Sequence, residues 1–298
     1  MHNVKLAGLL GTAALMLVAA CGGSATTAPS AAGPSAASGA PTCVAGTIIA
    51  NGSTALQPLV AAAAQQYQAA CSGSTVTVGG GGSGTGLTQV SQGAATIGDS
   101  DVFAAEKLAT PDADALTDHQ VVHQGFVMVL NKSITGVTNL TTDQAKQIWT
   151  GAITNWNKVG GPDQQIVLIL RPTSSGTRAT FKKIVLGGAD EGTGANAQTL
   201  TSDSNGDVAQ AVISTPGATS VIGFTYFADN TATLTGVQLD GVDATLANMS
   251  SGTYKLQSIG HMYTKGEATG LAKAFLDYMV SDAIQHTLVP SMHYAPIN

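Results

Sequence analysis

Three times in this chain a short β-branched run passes through a loop rich in glycine and hydroxyls directly into an amphipathic stretch. That recurrence restricts the fold more than any other feature. The clearest case is Ile166-Val167-Leu168-Ile169-Leu170, followed by Arg171-Pro172-Thr173-Ser174-Ser175-Gly176-Thr177-Arg178 and then Ala179 to Leu186, where Phe181, Ile184 and Val185 fall at helical spacing before Gly187-Gly188. Thr47-Ile48-Ile49-Ala50 leads likewise through Asn51-Gly52-Ser53-Thr54 to Leu56, Leu59, Val60, Ala63 and Tyr67 on one helical face, with Pro58 in the first turn and Ser53 or Thr54 as the expected N-cap. Thr75-Val76-Thr77-Val78 enters Gly79-Gly80-Gly81-Gly82-Ser83-Gly84-Thr85-Gly86, after which Leu87 and Val90 predict a short helix. Further on, Gln124 to Leu130 predicts a continuously apolar strand, Asp143 to Trp149 a helix, Asn196 to Asp207 a polar loop, and Leu271 to Val280 an amphipathic helix. Strands alternating with helices predict an α/β fold.

Each of these loops ends on a helix N-terminus, where unpaired N–H groups and the positive end of the helix dipole favour an anion. Arg171, Ser174, Ser175 and Thr177 add side-chain donors to the third loop, although that octet alone reads equally well as a capped helix beside a surface arginine. A net charge of −6 with 12 Lys+Arg and no basic cluster argues against a nucleic-acid partner, so the anion must be small. Asp99-Ser100-Asp101, after a strand at Ala95-Thr96-Ile97-Gly98, reads as a turn in which an acid such as Asp99 is solvated.

Enzyme signatures are weak. The histidines lack metal-ligand spacing, and His119 and His123, four apart, flank Val121-Val122 on the way into a strand. Neither Ser83 nor Ser175 lies in a Gly-x-Ser-x-Gly elbow, and no Gly-Lys pair offers a Walker loop. Gly79-x-Gly81-x-x-Gly84 with Asp99 about 20 residues on satisfies the dinucleotide pattern and stands as the enzyme alternative. No cofactor and no metal are expected.

Met1 to Ala20 carries Lys5 and an apolar run from Leu6 that ends in Val18-Ala19-Ala20-Cys21, too short to span a bilayer and ending in small residues. It is similar to a bacterial lipoprotein signal, with Cys21 as the lipidated first residue and residues 21–42 as a disordered tether. Export makes Cys43 and Cys71 a disulfide expected to tie the start of the first strand to the end of the first helix.

Six stretches taken in order, Gly52-Ser53-Thr54-Ala55-Leu56-Gln57-Pro58, Gly82-Ser83, Ile97-Gly98-Asp99-Ser100-Asp101, Gly151-Ala152-Ile153-Thr154-Asn155-Trp156, Arg171 to Arg178 and Met262-Tyr263-Thr264-Lys265-Gly266, resemble the PstS family of phosphate-binding lipoproteins that feed phosphate ABC transporters. The resemblance implies a type II periplasmic-binding-protein clamshell with two hinge-crossing strands, near His123 to Val127 and near Ser258 to Met262. Residues 43–123 and 262–298 would form lobe I, and 124–261 lobe II. It further implies phosphate held by Ser53, Thr54, Ala55, Ser83 and Asp101 from one lobe and by Arg171, Ser175, Gly176 and Thr177 from the other. Arg171 would fork onto two phosphate oxygens, and Asp101 would accept the proton that phosphate retains and sulfate lacks. The implied role is a monomeric, non-enzymatic receptor, lipid-anchored on the outer face of the bacterial cytoplasmic membrane, whose partners are inorganic phosphate and a membrane permease. A receptor for another tetrahedral oxyanion, a phosphate sensor and an extracellular phosphate-handling enzyme are the alternatives. The sequence departs from the family at Thr173, where some relatives carry an acid that would steady Arg171, at Leu56, where some carry Thr, and in its additional acid Asp99.

Overall fold

The structure, a computed structural model, describes residues 40–192 and 196–297. The expected signal segment, Cys21 and all of the expected tether before residue 40 lie outside the described residues. The first two strand–loop–helix units form as β1 (Gly46–Gly52) with α1 (Gln57–Ala70) and β2 (Ser74–Gly79) with α2 (Ser83–Ser91), followed by β3 (Ile97–Ser100) and the 16-residue β4 (Leu116–Asn131). Next come α3 (Thr142–Trp149), β5 (Val167–Leu170), α4 (Gly176–Ile184), β6 (Ala197–Thr199), α5 (Asn205–Ser214), β7 (Ala218–Gly223) and β8 (Leu234–Leu239). β9 (Gln257–Lys265) and α6 (Gly270–Met279) complete the principal elements. The strand order is β2-β1-β3-β9-β4-β7-β5-β6, with β8 paired to the end of β4.

β4 binds the two halves together. From Leu116 to Gly125 it pairs with β9, and from Phe126 to Leu130 with β7. From Phe126 to Leu130 it is apolar without interruption because both faces are covered. Phe126, Met128 and Leu130 pack with Trp149, Trp156 and Phe181, while Val127 and Val129 on the opposite face pack with Ile169, Val208 and Val212. A separate core holds Ile48, Leu59, Val60, Tyr67, Val121, Val122, Met262 and Phe275, which joins α1 and α6 to the β1 sheet. Two of these clusters thus cover the faces of the second half of β4, and the third lies against the β1 sheet. Cys43 and Cys71 form the disulfide, with Cα atoms 5.1 Å apart, and fasten the segment ahead of β1 to the last turn of α1.

Three local expectations need correction. α2 starts at Ser83, inside the glycine run, because Gly82 turns the chain at a φ of 91° that other residues rarely adopt. Asp99 is not solvated. It lies within β3, fully buried, and neither carboxylate oxygen has a hydrogen-bond partner among the described residues. The polar stretch from Asn196 is not simply a loop: it contains β6 and the start of α5, capped by Ser204, whose Oγ accepts from the Asp207 N–H.

Candidate functional site

The three loop-to-helix junctions converge on Asp101, two residues beyond Asp99 and 2 % exposed. Its Oδ1 accepts from Ser53 Oγ and from Gln124 Nε2 (2.9 Å), and its Oδ2 accepts from Thr177 Oγ1 (3.2 Å). Its backbone N–H donates to Ser83 Oγ at 2.9 Å. Burial pushes the Asp101 carboxyl up and Asp203 adds to the push, while the bonds from Ser53 and Gln124 and the charge of Arg171 pull it down. Those three side-chain donors are what an ionised carboxylate requires.

Ser53 sets the geometry of the first jaw. Its N–H reaches Asp99 O (2.9 Å), and its Oγ accepts from the N–H groups of Ala55 (3.2 Å) and Leu56 (3.0 Å), which turns the chain into α1 one residue ahead of Gln57. Ala55 itself packs into the second lobe's core, with its Cβ 3.3 Å from where a Cβ on Gly223 would lie. In the second jaw Ser175 caps α4, with Oγ accepting from the Arg178 N–H at 3.2 Å. Gly176 and Thr177 fill the first turn, where N–H groups have no carbonyl four residues back within the helix. Gly176 is obligatory here: a Cβ on it would run into Ser83 Oγ and the Asp101 carboxylate.

Arg171, at the end of β5, is 2 % exposed and surrounded by acceptors. Its Nη2 lies 2.8 Å from Asp203 Oδ1 and donates to Asp203 O (2.6 Å) and Thr54 Oγ1 (3.2 Å). Its Nε donates to Ser175 Oγ (2.8 Å) and its Nη1 to Asn205 Oδ1 (3.1 Å). Asp203 therefore supplies the acid that is missing at Thr173. Burial pushes the Asp203 carboxyl up, opposed first by Arg171. Asn205 also donates to Thr54 O (3.0 Å), so one side chain braces the arginine and touches the opposite jaw.

All nine residues expected at the site meet in this cluster. Sequence reasoning missed Asp203, Asn205 and Gln124. The first two carried a usable signal, since Ser204-x-x-Asp207 is a capping pattern and marks another strand–loop–helix junction. Gln124 offered none, because it stands inside an apolar strand. Among the described residues no group of His, Cys, Asp or Glu could hold a metal ion.

The PBP superfamily domain model matches residues 37–283. Phosphate-binding protein PstS of Bacillus subtilis is 44% identical over 293 residues, which cover 97% of this chain and 92% of that protein. Two solved structures share the fold. One is a substrate-binding protein assigned to a phosphate ABC transporter in Clostridium perfringens, solved with bound phosphate (TM-score 0.76, 28% identity, 85% of this chain and 100% of that one). The other is an ABC-type phosphate transport receptor from Vibrio cholerae (TM-score 0.66, 25% identity, 84% and 100%). With the site's geometry and these likenesses together, the chain belongs to the PstS family within the PBP superfamily.

Proposed function

We propose that the chain is an extracytoplasmic receptor that binds inorganic phosphate between its lobes and delivers it to the permease of a phosphate ABC transporter. The observation that carries this reading is the opposition of a buried acceptor, Asp101, to a jaw of donors at Arg171, Ser175, Gly176 and Thr177. Phosphate near neutrality is both an anion and a hydrogen-bond donor. The N–H groups at the start of α4, Arg171 and the hydroxyls of Ser83 and Ser175 suit its unprotonated oxygens, and the hydroxyls of Ser53, Thr54 and Thr177 and the Ala55 N–H, which donate to Asp101, Asp203 O and Ser53 in this structure, would turn to the anion on binding. Asp101 accepts the retained proton. Sulfate offers none and meets a bare carboxylate, so rejection follows from repulsion.

The relatives are named as binding and transport proteins, which supports a receptor and not an enzyme. Lobe I would comprise 43–123 with 262–298 and lobe II 124–261, in a monomer. Residues 1–20 would be removed and Cys21 lipidated, holding the receptor on the membrane's outer face. Labelled palmitate should enter the wild type and not Cys21→Ala. Calorimetric titration tests the central reading: wild type binds phosphate and not sulfate, Arg171→Ala loses about 100-fold or more in affinity, and Asp101→Asn narrows the gap between the two anions. Equal affinity for phosphate and sulfate in the wild type would overturn it.

A further inference from the structure

Three consecutive carbonyls of the second jaw are held by the opposite lobe. Lys107 Nζ donates to Thr173 O (2.8 Å) and to Ser175 O (3.1 Å), and between them the Gly84 N–H donates to Ser174 O (2.8 Å). Lys107 lies beyond β3 on the first lobe, immediately after Glu106, and no motif marked it. Its ammonium is partly withdrawn from water, which pulls its pKa down, while the nearby carboxylates of Asp203 and Asp101 push it back up. Glu106 also reaches across, to Lys183 at 3.2 Å, but that lysine is 64% exposed, and open ion pairs of this kind contribute little. A charged donor shared between two carbonyls in a half-buried seam is the stronger tie.

Position gives this tie a second consequence. Ser175 is the residue whose side chain caps α4 and accepts from Arg171, and the Gly176 and Thr177 N–H groups follow it directly. Fixing the carbonyls at 173, 174 and 175 therefore fixes the plane of the peptide that carries the Gly176 N–H and the aim of the donors next to it. Thr54 also bridges the lobes, through Asp203 O at 2.6 Å, but it does so among the ligand-facing hydroxyls. Lys107 bonds to carbonyls, which an anion does not seek.

We infer that Lys107 is a positioning residue that latches the closed clamp, drawing the 173–175 loop onto the first lobe and so slowing release of the bound anion. This inference rests on the phosphate-receptor reading for its kinetic arm and on geometry alone for its conformational arm. The bonds form whenever the lobes close, with or without an anion, so the latch shifts the empty protein toward closure and acts chiefly on dissociation, with a smaller change in the association rate.

The test compares wild type, Lys107→Met and Lys107→Arg. Stopped-flow measurement with inorganic phosphate should give a dissociation rate raised about 10-fold in Lys107→Met, an association rate within about 3-fold of wild type and partial recovery in Lys107→Arg. Spin labels at Asp112→Cys and Lys158→Cys, both exposed and on different lobes, should show a longer interlobe distance in phosphate-free Lys107→Met than in the labelled parent, with the melting temperature unchanged. An unchanged interlobe distance overturns the latch, as does an unchanged dissociation rate. If the wild type binds no phosphate, the receptor reading fails, and the spin-label distance still decides the latch.

Discussion

The two jaws begin from the same local design and end with opposite chemistry. In both, a serine next to a helix start uses its Oγ to hold backbone N–H groups, Ser53 those of Ala55 and Leu56, Ser175 that of Arg178. The first jaw then presents an acid, Asp101, ringed by donors, while the second presents Arg171, ringed by acceptors. Neither alone distinguishes one oxyanion from another. Set face to face, an acceptor opposite a donor array matches an anion that still carries a proton.

Removing the cation of the second jaw has the largest effect. Arg171→Ala leaves Asp203 buried without its counter-charge and should cost about 3–5 kcal/mol of stability in urea denaturation. The double variant Arg171→Ala/Asp203→Ala should recover part of that stability and none of the phosphate affinity, which separates the brace from the ligand contact. The disulfide comes next, because it fastens the helix of the first jaw and has no counterpart among the described residues of the second. Cys43→Ser with Cys71→Ser should lower stability by about 3 kcal/mol at an unchanged phosphate affinity. Gly176→Ala pushes a methyl into Ser83 and Asp101 and should weaken phosphate binding by about 2 kcal/mol in calorimetry, with a smaller change in melting temperature.

The smallest effect has the opposite sign. Burial holds the Asp99 carboxyl well above the usual carboxylate range, and the charge of Asp101 raises it further. The folded state thus keeps a proton that the unfolded chain releases near pH 4, so stability falls as pH rises above about 4 and levels off once the folded pKa is passed. Asp99→Asn removes that slope and should stabilise the protein at pH 7 by about 1–2 kcal/mol, with no gain at pH 3. A melting-temperature difference that does not vary with pH would contradict this account of the first jaw.

Much of this was legible because periodicity and turn chemistry agreed. Ile48, Leu59, Val60, Ala63 and Tyr67 are buried as their spacing requires, Ser53 and Arg171 directly follow strand ends, and Ser175 caps the helix that the short loop leads into. Asp99 was misread because an Asp-Ser-Asp stretch is ordinarily a turn, and only pairing of β3 with both β1 and β9 carries it indoors. Asp203 was missed because its partner lies 32 residues away, across a stretch whose polarity hid a strand. Lys107 acts through carbonyls, which leave no trace in side-chain patterns.

The strand order also governs the sequence in which the protein can fold. β9 lies between β3 and β4, and Ala295–Pro296 adds to β4 as well, so the sheet of the first lobe cannot be completed until nearly the whole chain is present. The second lobe, formed from the middle of the chain, can assemble its β4–β7–β5 core earlier. Ser53 and Asp101 precede Arg171 in the sequence, yet their jaw is the one that must wait for the C-terminus, and long-range pairing of that kind makes it the slower half to mature.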